Sequence, residues 1–271
     1  MTFSKKWSAP FIVFIIAGTV IPIASIAYYG FTGRDGGFTL SNITAMFTPN
    51  HLEALGLSLL LALVSTVICL VLAFPMAMIL RGSKFGKQGF TIFVLILPMW
   101  MNFLLRTMAW QVLLERTGVI NGILQAIGLP RQEMMNTPGA VVLGMVYDFL
   151  PFMILPIYNA VVKIDDRLIE AAQDLGARKS YVYRKVILPL SIPGIVSGIT
   201  MVFIPALTTF AISNMLGGGK VNLIGNIIEQ EFTVNSNWYL GSGLSLVMMI
   251  FIIVRMVLLE KFDKTGEGTF I

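Results

Sequence analysis

Stretches free of any charged residue recur along the chain at 7–33, 54–80, 88–105, 186–219 and 232–254. Each is 18 residues or longer and can cross a bilayer, for which a helix needs about 20 predominantly apolar residues. A sixth stretch, 134–162, is as long and as apolar except for Asp148 near its middle. This pattern predicts helices at about 9–29, 57–80, 89–110, 139–162, 191–215 and 239–259, so that residues 1–271 form a single transmembrane domain of six helices, an all-α membrane protein. Pro22, Pro75, Pro98, Pro151, Pro156 and Pro205 fall inside these spans. Each removes a backbone donor and kinks or breaks its helix, which lipid tolerates only where neighbours or a water-lined cavity satisfy the freed carbonyl. Gly194 and Gly198 make a small-xxx-small pair near the start of the fifth span, a spacing suited to close helix contact.

Composition agrees: 56% of residues are hydrophobic, only 12% are charged and mean hydropathy is +0.82. A soluble domain carries roughly a quarter charged residues, so a water-soluble globule is excluded. One cysteine, Cys69, and one histidine, His51, exclude a disulfide, a Cys/His zinc site and a Cys–His dyad. The net charge of +5 reports orientation rather than a nucleic-acid partner. With both termini on one side, that side holds fourteen cations: Lys5, Lys6, Arg81, Lys84, Lys87, Lys163, Arg167, Arg178, Lys179, Arg184, Lys185, Lys261, Lys264 and Arg255 at a helix end. Only Arg34, Arg106, Arg116, Arg131 and Lys220 lie towards the other side. Both termini and the segments 81–88 and 163–190 are therefore expected in the cytoplasm. The first apolar run is too long for a signal-peptide core, so it is expected to be retained as a span.

The segment 163–190 is more than a linker. Ile164, Leu168, Ala172 and Leu175 recur at helical spacing, whereas Asp165, Asp166, Arg167, Glu170 and Asp174 fall elsewhere, the pattern of a short amphipathic helix. Gly176 interrupts it, Lys179 to Val186 predict a second short helix, and Pro189 and Pro193 mark the start of the fifth span. By pattern alone this loop could also be an interfacial helix on the anionic inner leaflet.

Glu170-Ala171-Ala172, three residues, Gly176, nine residues, then Val186-Ile187-Leu188-Pro189 resembles the EAA motif of bacterial ABC importer permeases, EAA-x3-G-x9-I-x-L-P, with Val186 where isoleucine is usual. The segments 104–110 (LLRTMAW), 117–121 (TGVIN), 150–156 (LPFMILP) and 222–226 (NLIGN) are similar to the B-type permease subunit of spermidine/putrescine importers. The resemblance implies the type I importer permease (MetI-like) architecture, in a multi-pass protein of the bacterial cytoplasmic (inner) membrane. It implies a cytoplasmic coupling segment whose Glu170, Ala171, Ala172, Leu175, Gly176, Ala177, Leu188 and Pro189 dock on an ATPase subunit. The implied partners are a second homologous permease, two ATPase subunits, an extracytoplasmic substrate-binding protein and membrane lipid. This chain would form half of a translocation pathway working by alternating access. ATP and Mg would be used by the partner ATPase, with no cofactor bound here and no enzymatic activity in this chain. Gly217-Gly218-Gly219-Lys220 does not supply an ATP site, because Val221 stands at the Ser/Thr position and the leading glycine of GxxxxGK[ST] is missing.

Asp148 is the one carboxylate deep in a predicted span, and such groups are costly enough to be functional candidates by default. Beside Tyr147 and near Asn159 it could offer a polycation charge and a cation-π face, or it could hydrogen-bond a neighbouring helix. Asn102, Arg106 and Trp110 recur at four-residue spacing, predicting one face of the third span. Arg106 would repel a polyamine and is expected to pair with Asp148 or with an external carboxylate. Asp148, Tyr147, Asn102, Trp110 and Asn159 are thus the candidate pathway residues. Glu229 and Glu231 could guide a polycation or contact a binding protein, or be ordinary solvated loop charge. Two other functions remain open: a permease for a different small solute, and a carrier driven by an ion gradient or by the membrane potential, worth about 2.3 kcal/mol per charge per 100 mV to an entering cation. An intramembrane enzyme is disfavoured, since the chain has no HExxH or GxSxG.

Overall fold

In lipid, runs of leucine, valine, isoleucine, alanine and methionine satisfy their own backbone polar groups by coiling, and the described part of the chain is helical nearly throughout. A computed structural model describes residues 13–82 and 97–262. These residues group into two compact units, one within Met1–Leu55 and Ile224–Arg255, the other within Gly56–Leu223 and Met256–Ile271.

In the first unit, helix α1 runs Val13–Phe31 and contains a π-helical turn at Ile16–Val20, immediately ahead of Pro22. The wider turn passes the Ile21 N–H to the Ile16 carbonyl and so accommodates a ring that cannot donate. A short helix α2, Ser41–Thr44, follows. Its Asn42 Nδ2 donates to the Gly30 and Thr32 carbonyls at 3.3 and 3.0 Å, tying off the end of α1. The end of α1 is further packed by aromatic rings, Tyr29 meeting Tyr239 edge-on at 5.5 Å and Phe31 stacking on Phe38 at 5.9 Å.

Helix α3, Pro49–Gly82, is followed in the described chain by α4, Phe103–Leu114; α5, Val119–Ala126; α6, Pro138–Val162; α7, Asp166–Asp174; α8, Lys179–Leu190; α9, Ile192–Thr208; and α10, Ala211–Gly217. Helices α11, Ile224–Thr233, and α12, Trp238–Phe262, complete it. The core of the second unit joins Cys69, Ala73, Phe74, Ala77 and Leu80 of α3 to Met153, Ile154, Ile157, Tyr158 and Val161 of α6, with Ile164, Ile187 and Val202 alongside. The Gly194–Gly198 pair lies where its spacing predicts a close contact. A Cβ at Gly194 would come 2.6 Å from the Pro156 carbonyl, and one at Gly198 would come 2.7 Å from Met153 Sδ. Helix α9 can lie on α6 only because those side chains are missing.

Six continuous spans are not found among the described residues. Among the described residues, four helices are long and apolar enough to cross a membrane: Val13–Phe31, Pro49–Gly82, Pro138–Val162 and Trp238–Val257. A fifth crossing is available if Lys179–Leu190 and Ile192–Thr208, bent by 64°, act together. Of the predicted third span, 89–96 lies outside the described residues, and the remainder is not one rod. Helix at 97–100 stops, and α4 restarts at Phe103 because the Asn102 side chain accepts the Leu104 N–H at 2.8 Å and caps a new helix. The predicted fifth span, 191–215, also breaks. Thr209 is extended (φ −64°, ψ 140°) beyond a turn loosened by Pro205, where Thr208 Oγ1 takes the Ile204 carbonyl at 3.1 Å. The second span begins earlier than predicted, at Pro49, and its 34 residues make a helix of about 51 Å. The predicted helix Lys179–Val186 is α-helical only to Val182, after which Tyr183–Ile187 form a π turn. That turn again precedes a proline, Pro189, and passes the Leu188 N–H to the Tyr183 carbonyl, the device seen before Pro22.

Candidate functional site

The loop 163–190 is a built object. Asp165 Oδ1 accepts the Arg167 N–H at 2.9 Å and caps α7. At the other end Gly176 sits at φ +82°, a left-handed position that glycine adopts at no steric cost. There the Gly176 N–H reaches the Gln173 carbonyl at 2.8 Å and the Ala177 N–H reaches that of Ala172 at 3.1 Å. This pair of bonds is a Schellman closure, which uses up carbonyls the helix end would leave bare. Arg178 then begins α8. The base of the loop is anchored by Arg81 of α3, whose Nη2 donates to the Ile164 carbonyl and to Asp166 Oδ1, both at 2.8 Å. Ile164, Val182 and Ile187 are buried, and Phe74 meets Tyr183 edge-on at 5.3 Å.

Above this root, none of the residues of α7 is buried. Glu170, Ala171, Gly176, Leu188 and Pro189 are exposed, and Ala172 and Ala177 are half-buried. Leu175 is 89% exposed, and Leu168 and Tyr181 are exposed too. Ile169 of α7 packs against the core, but Leu168 and Leu175 have no cover among the described residues, and exposed apolar side chains of this kind present a surface for something else.

The second site lies between α4 and α6. Arg106 and Asp148 are both buried, at 6% and 2% exposure, with Arg106 Nη2 3.3 Å from Asp148 Oδ1. The contact is close in distance but off hydrogen-bond geometry. Arg106 Nε, Arg106 Nη1 and Asp148 Oδ1 have no hydrogen-bond partner among the described residues. Thr107 Oγ1 lies 3.1 Å from Asp148 Oδ2 and 2.9 Å from the Phe103 carbonyl, two acceptors that share its one proton. The Arg106 guanidinium carbon is 5.9 Å from the centre of the Tyr147 ring, and Trp110 meets Tyr147 edge-on at 5.4 Å.

Of the predicted pathway residues, Asp148, Tyr147 and Trp110 thus come together, with Arg106 as the expected partner of Asp148. Asn102 and Asn159 do not join them. Asn102 ends the break before α4 as its cap instead of standing on a helical face with Arg106 and Trp110. Asn159 is exposed on α6, eleven positions and about 16 Å along the axis from Asp148. Thr107, whose hydroxyl faces the second carboxylate oxygen, was not singled out by the sequence, although it stands next to Arg106 within the 104–110 segment.

Membrane-length helices, an exposed capped loop and a buried polar cluster fit one class, a membrane-spanning component of a transport system, and the comparisons show that class. The family model described as binding-protein-dependent transport system inner membrane component matches residues 3–265, and the chain belongs to that family. It is 36% identical to the spermidine/putrescine transport system permease protein PotB of Haemophilus influenzae over 270 residues, covering 97% of this chain and 94% of the relative. It is 39% identical to the PotB protein of Escherichia coli strain K12 over 215 residues, 79% of this chain and 78% of that one. The fold matches a chain of a bacterial alginate ABC transporter, solved in complex with an alginate pentasaccharide-bound periplasmic protein, with a TM-score of 0.79 at 16% identity over 96% of this chain and 95% of that one. The chain is accordingly a multi-pass membrane protein and a transport component.

Proposed function

We propose that this chain is a permease subunit of an ABC importer for spermidine and putrescine, forming half of the pathway beside a second, homologous permease. The observation that carries the reading is near full-length similarity to spermidine/putrescine permeases, joined to an exposed, doubly anchored loop at the motif positions. The excess of cations around 81–88, 163–190 and the termini supports a cytoplasmic loop. Two ATPase subunits would bind and hydrolyse ATP with Mg, one of them seated on Leu168, Glu170, Ala171, Leu175 and the α8 surface. An extracytoplasmic binding protein would deliver the solute.

Alternating access needs a conformational equilibrium to be driven back and forth, and moving it from 1:99 to 99:1 takes about 5.5 kcal/mol of differential binding. A loop capped at both helix ends and rooted in the α3–α6 core can pass such a difference to the spans. A flexible linker would absorb it. The π turn ahead of Pro189 and the 64° bend that follows set where the loop hands its motion to α9.

The test is uptake of labelled spermidine and putrescine into proteoliposomes holding this chain with the permease, ATPase and binding protein encoded beside it. Uptake that needs all components and ATP is the expected result. Uptake driven by membrane potential with this chain alone would make it a carrier. ATPase stimulation by a binding protein loaded with another solute, without polyamine uptake, would keep the permease and replace the substrate.

A further inference from the structure

The buried cluster between α4 and α6 is, in chemical terms, a cation site already occupied by a cation of the protein's own. Asp148 supplies a carboxylate oxygen, Tyr147 a ring face, and Trp110 a second ring set edge-on to the first. The occupant is the guanidinium of Arg106, and it is held poorly. A buried arginine–carboxylate pair is usually bidentate, with N–O distances of about 2.7–2.9 Å. Here one nitrogen stands at 3.3 Å without hydrogen-bond geometry, and Nε and Nη1 are satisfied by nothing among the described residues. The other carboxylate oxygen lies 3.1 Å from Thr107 Oγ1, whose proton the Phe103 carbonyl also draws at 2.9 Å. Asp148 thus keeps a neighbour on α4 when the guanidinium moves, whereas two of the three guanidinium nitrogens have no hydrogen bond among the described residues to lose.

We propose that Arg106 is an internal stand-in for substrate: an ammonium group of the transported polycation displaces its guanidinium from Asp148 Oδ1 and the Tyr147 face, and the return of Arg106 expels the substrate. The inference rests on the polyamine reading above. An alkylammonium suits the site better than the resident group does. It is compact, carries three donors that rotate onto Oδ1, and trails methylenes that lie along Tyr147 and Trp110. Tyr147 is 41% exposed and Trp110 half-buried, so the aromatic edge is the approach to the acid. Exchange of one cation for another keeps the buried carboxylate neutralised in both states. An empty site would instead leave a charge unpaired in a dry interior, a costly state that transport avoids if Arg106 re-enters as the substrate leaves.

The experiment is equilibrium binding of labelled spermidine to the purified, assembled transporter without its binding protein, alongside uptake turnover, for the wild type and three variants. Arg106→Gln removes the competitor and should lower Kd about tenfold while slowing turnover, because nothing expels the substrate; tenfold corresponds to about 1.4 kcal/mol. Arg106→Lys installs a closer mimic of the substrate and should raise Kd. Asp148→Asn should raise Kd about tenfold. A fixed structural pair predicts no such opposition: Kd unchanged in all three, or raised alike in Arg106→Gln and Asp148→Asn, overturns the proposal. If Arg106→Gln does not assemble, Arg106→Lys against Asp148→Asn decides, since an unaltered Kd in Arg106→Lys also overturns it. Wild-type transporter that takes up no polyamine refutes the substrate reading itself, a result distinct from wild-type uptake with non-opposed variants.

Discussion

Gly176 is the point at which the coupling role is most exposed to experiment. Its φ of +82° is left-handed, and nothing lies within 4 Å of where a Cβ would stand, so substitution there acts through the backbone alone. Alanine in that conformation costs about 1–2 kcal/mol. Proline is worse: its φ is locked near −65°, it deletes the 2.8 Å bond from the Gly176 N–H to the Gln173 carbonyl, and the combined cost is about 3 kcal/mol or more. The Schellman closure then opens and α7 loses its fixed angle to α8. Because the turn is exposed and no residue of α7 is buried, the loop opens locally and membrane insertion should stay near wild type. Set against the about 5.5 kcal/mol that alternating access requires, Gly176→Ala should reduce ATP-driven uptake several-fold and Gly176→Pro should abolish it. The assay is uptake in proteoliposomes of the complete transporter, with ATPase activity measured in parallel. Wild-type uptake by correctly inserted Gly176→Pro would refute the lever argument.

Other outcomes follow from the same geometry. Glu170→Lys reverses a charge on an exposed face of α7 without touching the core, and should weaken capture of the ATPase subunit in pull-down from membranes while leaving the level of inserted protein unchanged. Gly194→Leu drives a side chain into the Pro156 carbonyl and Ala160 of α6, where a Cβ already comes within 2.6 and 2.5 Å. An overpacking cost of about 1–3 kcal/mol should appear as a melting temperature several degrees lower in detergent, and an unshifted melting curve would count against the close α6–α9 contact.

What the sequence determined by itself is what local chemistry can carry. Intervals without charge mark which segments avoid water: α6, Asp148 apart, and most of α3 and α12 fall in such intervals, as does the described part of α1, whereas predicted residues 9–12 lie outside the described residues. The amphipathic spacing through Leu168, Ala172 and Leu175, stopped by Gly176, fixes a helix and its termination, because a left-handed cap is a property of a few adjacent residues. The repulsion between a cation and a polyamine likewise marked Arg106 for pairing with a carboxylate, Asp148 or an external one, and the structure decided for Asp148. Tertiary structure decided the rest. No charge marks Asn102 inside its apolar stretch; it breaks the helix only by turning its side chain back onto the Leu104 N–H, a choice made among competing partners. The break at Thr209 is of the same kind. Thr107 holds Asp148 across 41 positions of chain, and Arg81 holds Asp166 across 85, contacts that no period or propensity encodes. Charge-free length says that a segment can cross a membrane, but which side chain satisfies a buried donor or acceptor depends on which helices are already packed together, and that is settled only in three dimensions.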